Sequence, residues 1–292
     1  MYTIWLIRED RISSPEQISF GGLPALFCDI HVHSSFSTDS DADMEAVVRE
    51  AISRQIDVLC FTDHIDWNYP VPDLIFDFDK EAYFRRIADL RNEYGGKIRI
   101  LRGVELGMQP GLGKPYADLL KQYPFDFVIG SQHLVNGMDP YYPETFETKS
   151  ADEIYRDYFE ETFENVKEFH SFDSMGHLDY IVRYGKKRKG RNYSYKKYAG
   201  IIDEILKLLV RYNIALELNT CGLRKQLGAP NPRPEILRRY RELGGTLVTI
   251  GSDAHKPLFL GYAFNTAKEI LKTCGFTHFV YYEDRKPKFE LL

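Results

Sequence analysis

The chain has 292 residues, 43% of them hydrophobic and 28% charged, enough for a sizeable core in one large α/β domain or two smaller ones. Its formal charge of −5 argues against a general nucleic-acid or anionic-membrane binder, and no apolar run approaches a membrane helix. Four scattered cysteines without C-x-x-C spacing, and an N-terminus without a charged-then-apolar signal pattern, lead to the expectation of a soluble, cytoplasmic protein with reduced thiols.

Short β-rich runs alternate with helical patterns from residue 25 onward. The expected strands are 25–33, 56–64, 97–106, 125–133, 171–179, 213–220 and 245–255, and the expected helices are 43–54, 79–94, 113–122, 150–170, 194–211, 234–243 and 261–274. The helix after Ser150 has a plausible cap, and its Ile154, Tyr158, Phe159, Phe163 and Val166 read as a core stripe. Near-continuous hydrophobic strands alternating with helices indicate a parallel sheet covered by helices. Seven such units without a Gly-x-Gly-x-x-Gly fingerprint favour a closed or nearly closed barrel over an open dinucleotide-binding sheet. No linker or repeat divides the chain, so residues 27–292 are expected to form a single domain behind an extension, 1–26, of unassigned role.

The polar residues cluster at strand ends. In "CDIHVH" (28–33), alternation places His31 and His33 on one face of the first strand. Asp63 and His64 end the second strand, Glu105 the third, His133 the fourth, His177 and Asp179 the fifth, Asn219 the sixth, and Asp253 and His255 the seventh. In a parallel barrel these ends open on one rim, so six of the eight histidines converge there and only His170 and His278 are left over. A metal site is the natural reading of that convergence. The donors are imidazole and carboxylate without thiolate, a set that suits Zn, Mn or Fe.

The ordered set Asp-x-His-x-His, "FTDH", "GVELG", "GSQH", "GHLD" and "GSDAH" resembles the polymerase-and-histidinol-phosphatase (PHP) family over residues 27–280. With "HLDYIVRYG" and "ELNTCGLRK", the chain is most similar to the histidinol-phosphate phosphatases of that family. The resemblance implies a distorted seven-stranded (β/α) barrel of the TIM-like kind with two or three divalent metal ions. It places one ion on His31, His33, Glu105 and Asp253, and a second on bridging Glu105 with His133 and His177. A third falls to Asp39, His64 and His255. The implied reaction is hydrolysis of L-histidinol phosphate in histidine biosynthesis, with a metal-bridging hydroxide as nucleophile. Asp253 and His255 are candidates for protonating the leaving alkoxide, and Arg183 and Arg224 for gripping the phosphate.

Other features receive bland readings. Asp29, Asp63 and Asp179 sit beside ligands and are expected to orient imidazoles. Glu81, Tyr83 and "YYPETF" (141–146) are expected near the substrate's amine and imidazole. "KKRKGR" (186–191) reads as a solvated loop, and "GLGKP" (111–115) lacks P-loop spacing. Cys221 stands where the resemblance leads to a small hydroxyl residue. A PHP phosphoesterase acting on a nucleotide or other small ester, an amidohydrolase and a non-catalytic metal binder are the alternative readings. The amidohydrolase is disfavoured because "GSQH" offers no bridging lysine.

Overall fold

A computed structural model describes residues 26–184, 193–225 and 227–292; the basic run 186–191 and the extension before Leu26 lie outside the described residues. Eight parallel strands, β1 (Cys28–Val32), β2 (Val58–Phe61), β3 (His64–Ile65), β4 (Arg99–Gly107), β5 (Phe127–Ser131), β6 (Ser174–Met175), β7 (Ala215–Asn219) and β8 (Val248–Gly251), run in the order β1-β2-β4-β5-β6-β7-β8, with β3 also pairing to β4. β2 and β3 are the two halves of one expected strand, so the seven-unit reading holds. The seam between β1 and β8 is joined by His33 N donating to Ala254 O (2.9 Å) and Asp253 N donating to His31 O (2.8 Å). The result is a nearly closed α/β barrel.

Helices α1 (Met44–Ser53), α2 (Lys80–Tyr94), α3 (Gly113–Gln122), α4 (Ala151–Glu168), α5 (Tyr195–Arg211), α6 (Cys221–Arg224), α7 (Pro234–Glu242) and α8 (Phe264–Thr273) connect the strands. Three of them start on side-chain caps: Asp43 accepts from Ala46 N and Asp79 from Ala82 N, while Ser150 and Glu153 form a reciprocal capping box. α1 buries Met44, Val47, Val48 and Ala51, and α5 buries Tyr198, Ile202, Ile205, Leu206 and Leu209, both at helical spacing against the sheet. Ile154, Tyr158, Phe159 and Val166 of α4 are buried, as their spacing predicts, and Phe163 is half-buried against the core.

Two departures from the sequence reading have local causes. The fifth expected strand shrinks to Ser174–Met175 because His177 has φ +20° and its carbonyl accepts from Tyr180 N, which starts a tight turn over Tyr180–Arg183. The second is an unforeseen antiparallel hairpin, β9 (His278–Glu283) and β10 (Lys286–Leu291), joined by Asp284 and Arg285, both at positive φ. This hairpin seals the barrel end opposite the strand C-termini. Arg285 Nε donates to Asp173 (2.5 Å), its Nη2 to Ser171 O (2.8 Å) and its N to Asp126 O (2.9 Å).

At the same end, buried Asp126 accepts from Arg102 Nη2 (2.9 Å) and Arg91 Nη2 (2.7 Å). Burial pushes its pKa up, but the bonds and charge of Arg102 and Arg91 outweigh this and hold it below 3.8. A depressed carboxylate stabilises the fold fully above the unfolded-state pKa, and that contribution fades as pH falls through the folded-state value. Asp126→Asn is therefore expected to destabilise by about 2–4 kcal/mol at pH 7. Urea midpoints at pH 7 and pH 3 check this; the gap to wild type should narrow in acid.

Candidate metal centre

Glu105 on β4 is fully buried, and five imidazoles surround its carboxylate. His31 Nε2 (3.1 Å), His33 Nε2 (3.4 Å) and His64 Nδ1 (3.3 Å) lie against Oε2. His133 Nε2 (3.2 Å) and His177 Nε2 (3.0 Å) lie against Oε1, which also accepts from Ser131 Oγ at 2.6 Å. Burial works against ionisation of Glu105, yet His31, His64 and His133 outweigh it and keep the group well below the usual carboxylate range.

A second carboxylate, Asp253, extends the cluster outward. Its Oδ1 lies 3.7 Å from His33 Nε2 and 3.4 Å from His255 Nδ1. Asp253 adopts a left-handed backbone (φ +53°), a strained conformation that turns its side chain into the rim. Asp39 closes the outer edge at 3.1 Å from His255 Nε2 and 3.8 Å from His64 Nε2. The His33 ring stacks between His64 (4.3 Å) and His255 (4.1 Å). All nine expected ligands meet at one rim, while His170 stacks on Tyr212 and His278 lies in β9.

The donor chemistry fits cations. Four overlapping groups have ligand atoms within 4.8 Å of one another: His33-His64-His255, His31-His33-Asp253, His31-Glu105-His177 and His64-Glu105-His133. His33 Nε2 and His64 Nδ1 are buried without a hydrogen-bond partner. Burial, with His255 and His64 alongside, pushes the His33 pKa well below 6.5, so this imidazole is neutral and offers a lone pair. Unsatisfied buried nitrogens facing anionic carboxylates are what a site for several divalent ions requires.

The groups that orient the imidazoles are not those expected from sequence adjacency. Glu217 on β7 accepts from His31 Nδ1 at 2.5 Å and from His177 N at 2.8 Å. Asp66 accepts from His133 Nδ1 at 2.6 Å. The two Nδ1 contacts fix the tautomers that leave Nε2 of His31 and of His133 facing Glu105. Asp63 acts one step removed, accepting from Ser37 Oγ (2.7 Å), which bonds His33 Nδ1 (3.1 Å). Asp29 instead accepts from Ser252 N and Gly261 N, and Asp179 from Asn231 Nδ2 and Arg233 N, so neither touches an imidazole. Glycines make room for the orienting groups: a Cβ at Gly107 would fall on the Asp66 carboxylate, and one at Gly251 on His31 and Glu217. Glu217→Gln should weaken metal affinity by about 10–100-fold, read by competition with a chelator.

Arg183 is buried and gives its fork to Asp253 Oδ2 (Nη1 and Nη2, 3.1 Å each), Asn219 Oδ1 (3.2 Å) and Asn231 Oδ1 (3.0 Å). Arg224, at the end of α6, donates to Asp253 O (3.2 Å) and Cys221 Sγ (3.0 Å) and lies 4.0 Å over the Phe259 ring. Both arginines, with Lys225, line a cavity of about 660 Å³ whose floor is the histidine cluster. Tyr69, Phe76, Asp139, Tyr141, Tyr142, Tyr180 and Tyr184 form its walls. Tyr141 and Tyr142 thus reach the cavity, as expected. Tyr83 does not: it is buried in the core, where its hydroxyl donates to Phe61 O and Gly103 O, and Glu81 is exposed in the first turn of α2.

A parallel barrel whose C-terminal rim carries this His, Asp and Glu set defines a metallohydrolase-type centre. The PHP domain model matches residues 29–221, and the chain belongs to the PHP domain family. Among its relatives, the "probable histidinol-phosphatase" of Clostridium acetobutylicum is 36% identical over 89% of this chain and 98% of its own length. The histidinol-phosphatase of Lactococcus lactis is 31% identical over 85% of this chain and 91% of its own. A crystal structure of the Lactococcus lactis histidinol phosphate phosphatase complexed with Zn, L-histidinol and phosphate superposes with a TM-score of 0.81 at 30% identity, covering 89% of this chain and 98% of that one.

Proposed function

We propose that this chain is a metal-dependent phosphate-monoester hydrolase that converts L-histidinol phosphate and water to L-histidinol and phosphate. The observation that carries the reading is a five-imidazole, one-carboxylate cluster opening into a cavity lined by two arginines. Relatives named as histidinol-phosphatases over nearly their full length support the substrate.

The reading carries three ion positions, which the resemblance implies and the contacts accommodate. His31 and His33 with Glu105 and Asp253 would hold one, Glu105 with His133 and His177 a second, and Asp39 with His64 and His255 a third. Divalent cations there supply Lewis-acid charge and bring the pKa of water toward neutrality. The chain's own residues do the rest. Arg224 lines the cavity and is the residue assigned to the non-bridging phosphate oxygens, while Arg183 lines the same cavity and anchors Asp253. Asp253 and His255 both line the cavity, and the reading gives one of them the return of a proton to the leaving alkoxide.

A cavity of about 660 Å³ suits a small ester rather than a polymer. Among the described residues no helix is long and apolar enough to cross a membrane, and all four cysteines are free and buried, which is consistent with a cytoplasmic enzyme. The test is phosphate release by metal-reconstituted protein from L-histidinol phosphate, an aryl phosphate and a nucleoside monophosphate. The reading expects kcat/KM for histidinol phosphate at least about a hundredfold higher, roughly 2.7 kcal/mol of transition-state binding. Equal, slow turnover of all three would remove the substrate assignment.

A further inference from the structure

The cavity carries charges of both signs. Arg183, Arg224 and Lys225 line it, and the loops after β3 and β5 add aromatic rings and two carboxylates, Asp66, which is bonded to His133, and Asp139. Asp139 Oδ2 accepts from Tyr69 Oη at 2.5 Å, and its Oδ1 accepts from Tyr141 N at 2.7 Å. These two bonds tie one loop to the other and fix the carboxylate. They also leave each oxygen with further accepting capacity. Among the described residues no Lys, Arg or His pairs with Asp139.

The rings beside it complete the setting. Tyr69 packs on Phe76 at 4.5 Å, and Phe76 meets the metal-centre ring of His64 edge-on at 5.7 Å. On the other side Tyr141 meets Tyr184 (6.3 Å), Tyr184 meets Tyr180 (5.2 Å), and Tyr180 packs on His133 (5.4 Å). Aromatic faces and a carboxylate both attract a cation, and the carboxylate disfavours an anion.

We propose that Asp139, held by Tyr69 and Tyr141, is the specificity residue that receives the ammonium group of the alcohol half of the substrate. The phosphate and the cation of one small zwitterionic ester then bind at opposite poles of the cavity. Nucleotides and neutral esters lack the second pole. This inference rests on the phosphatase reading for the identity of the reaction, but not for the binding preference.

The test uses the metal-loaded full chain and two competitive inhibitors of aryl phosphate hydrolysis: L-histidinol and its des-amino analogue, 3-(imidazol-4-yl)propan-1-ol. Wild type should bind L-histidinol at least about thirtyfold more tightly. Asp139→Asn, nearly isosteric, should bring the two within about fivefold, and Asp139→Glu should restore a preference of about tenfold. For the corresponding phosphate esters the loss should fall mainly in KM rather than kcat. A wild-type enzyme that does not distinguish the two alcohols overturns the proposal without any variant. So does an Asp139→Asn enzyme that keeps the wild-type preference. Selective binding of L-histidinol combined with poor turnover of its phosphate ester would instead overturn the substrate assignment and leave the ammonium subsite standing.

Discussion

Glu105→Gln is expected to abolish detectable turnover, with kcat/KM falling at least about a thousandfold, about 4 kcal/mol at the transition state. The reason is the density of contacts on one carboxylate: five imidazoles within 3.4 Å and a seryl hydroxyl at 2.6 Å. A neutral amide keeps the shape but removes the anion that any shared cation needs, and its NH2 turns a donor toward imidazole nitrogens. Bound metal should therefore fall together with activity. Elemental analysis after gel filtration, alongside kinetics, checks this. A variant with wild-type metal content and wild-type rate would show that Glu105 is not the centre of the cluster.

Arg183→Ala should damage both stability and catalysis. The guanidinium satisfies Asp253, Asn219 and Asn231 at once in a buried setting. Truncation leaves a buried carboxylate and two amides without their partner, a loss of about 3–5 kcal/mol in folding. It also frees the Asp253 side chain to rotate away from His33 and His255. Arg183→Lys should recover little, because a single ammonium cannot reproduce a planar fork that reaches three residues. Arg224→Ala supplies the contrast. Arg224 is half-buried, its hydrogen bonds are to a thiol sulfur and a backbone carbonyl, and its ring contact is with Phe259. Its loss should lower kcat/KM by about a hundredfold with little change in the urea midpoint. Chemical denaturation and steady-state kinetics on the same preparations separate the two cases.

The metal ligands are legible in the chain because period-two alternation and strand ends are local properties. His31 and His33 announce a shared face, and His64, Glu105, His133, His177 and the pair Asp253 and His255 come at later strand ends, whereas Asp39, in the loop after β1, is implied only by the family resemblance. The orienting groups are less legible. Glu217 looks like an isolated acid in "ALELN", yet it lies two residues before Asn219 on the same inward face, and that spacing is the signal available for it. Asp66 follows His64 at the same interval, but its contact is with His133 from another strand. Adjacency in sequence points instead to Asp29 and Asp179, whose side chains turn to backbone amides and to Asn231. Tyr83 misleads for a related reason: a tyrosine on a helix near the rim looks available, and only packing shows its hydroxyl tied to two strand carbonyls. The final hairpin escaped notice because its turn, Asp284-Arg285, adopts positive φ without glycine or asparagine.

The seam between β1 and β8 has a consequence for how the molecule comes into being. The backbone atoms that zip it belong to His31, His33, Asp253 and Ala254, so the clasp of the barrel and the ligand set are made of the same residues. Nearby, Ser252 N reaches Asp29 across 223 positions of sequence. No shorter stretch of nascent chain holds both halves, and contacts of such span form slowly because a long loop must close first. Catalytic competence therefore requires the first and last strands of the barrel, β1 and β8, to meet. Cations that bridge the two halves act as a latch on that closure, and the binding free energy they contribute is also free energy of folding.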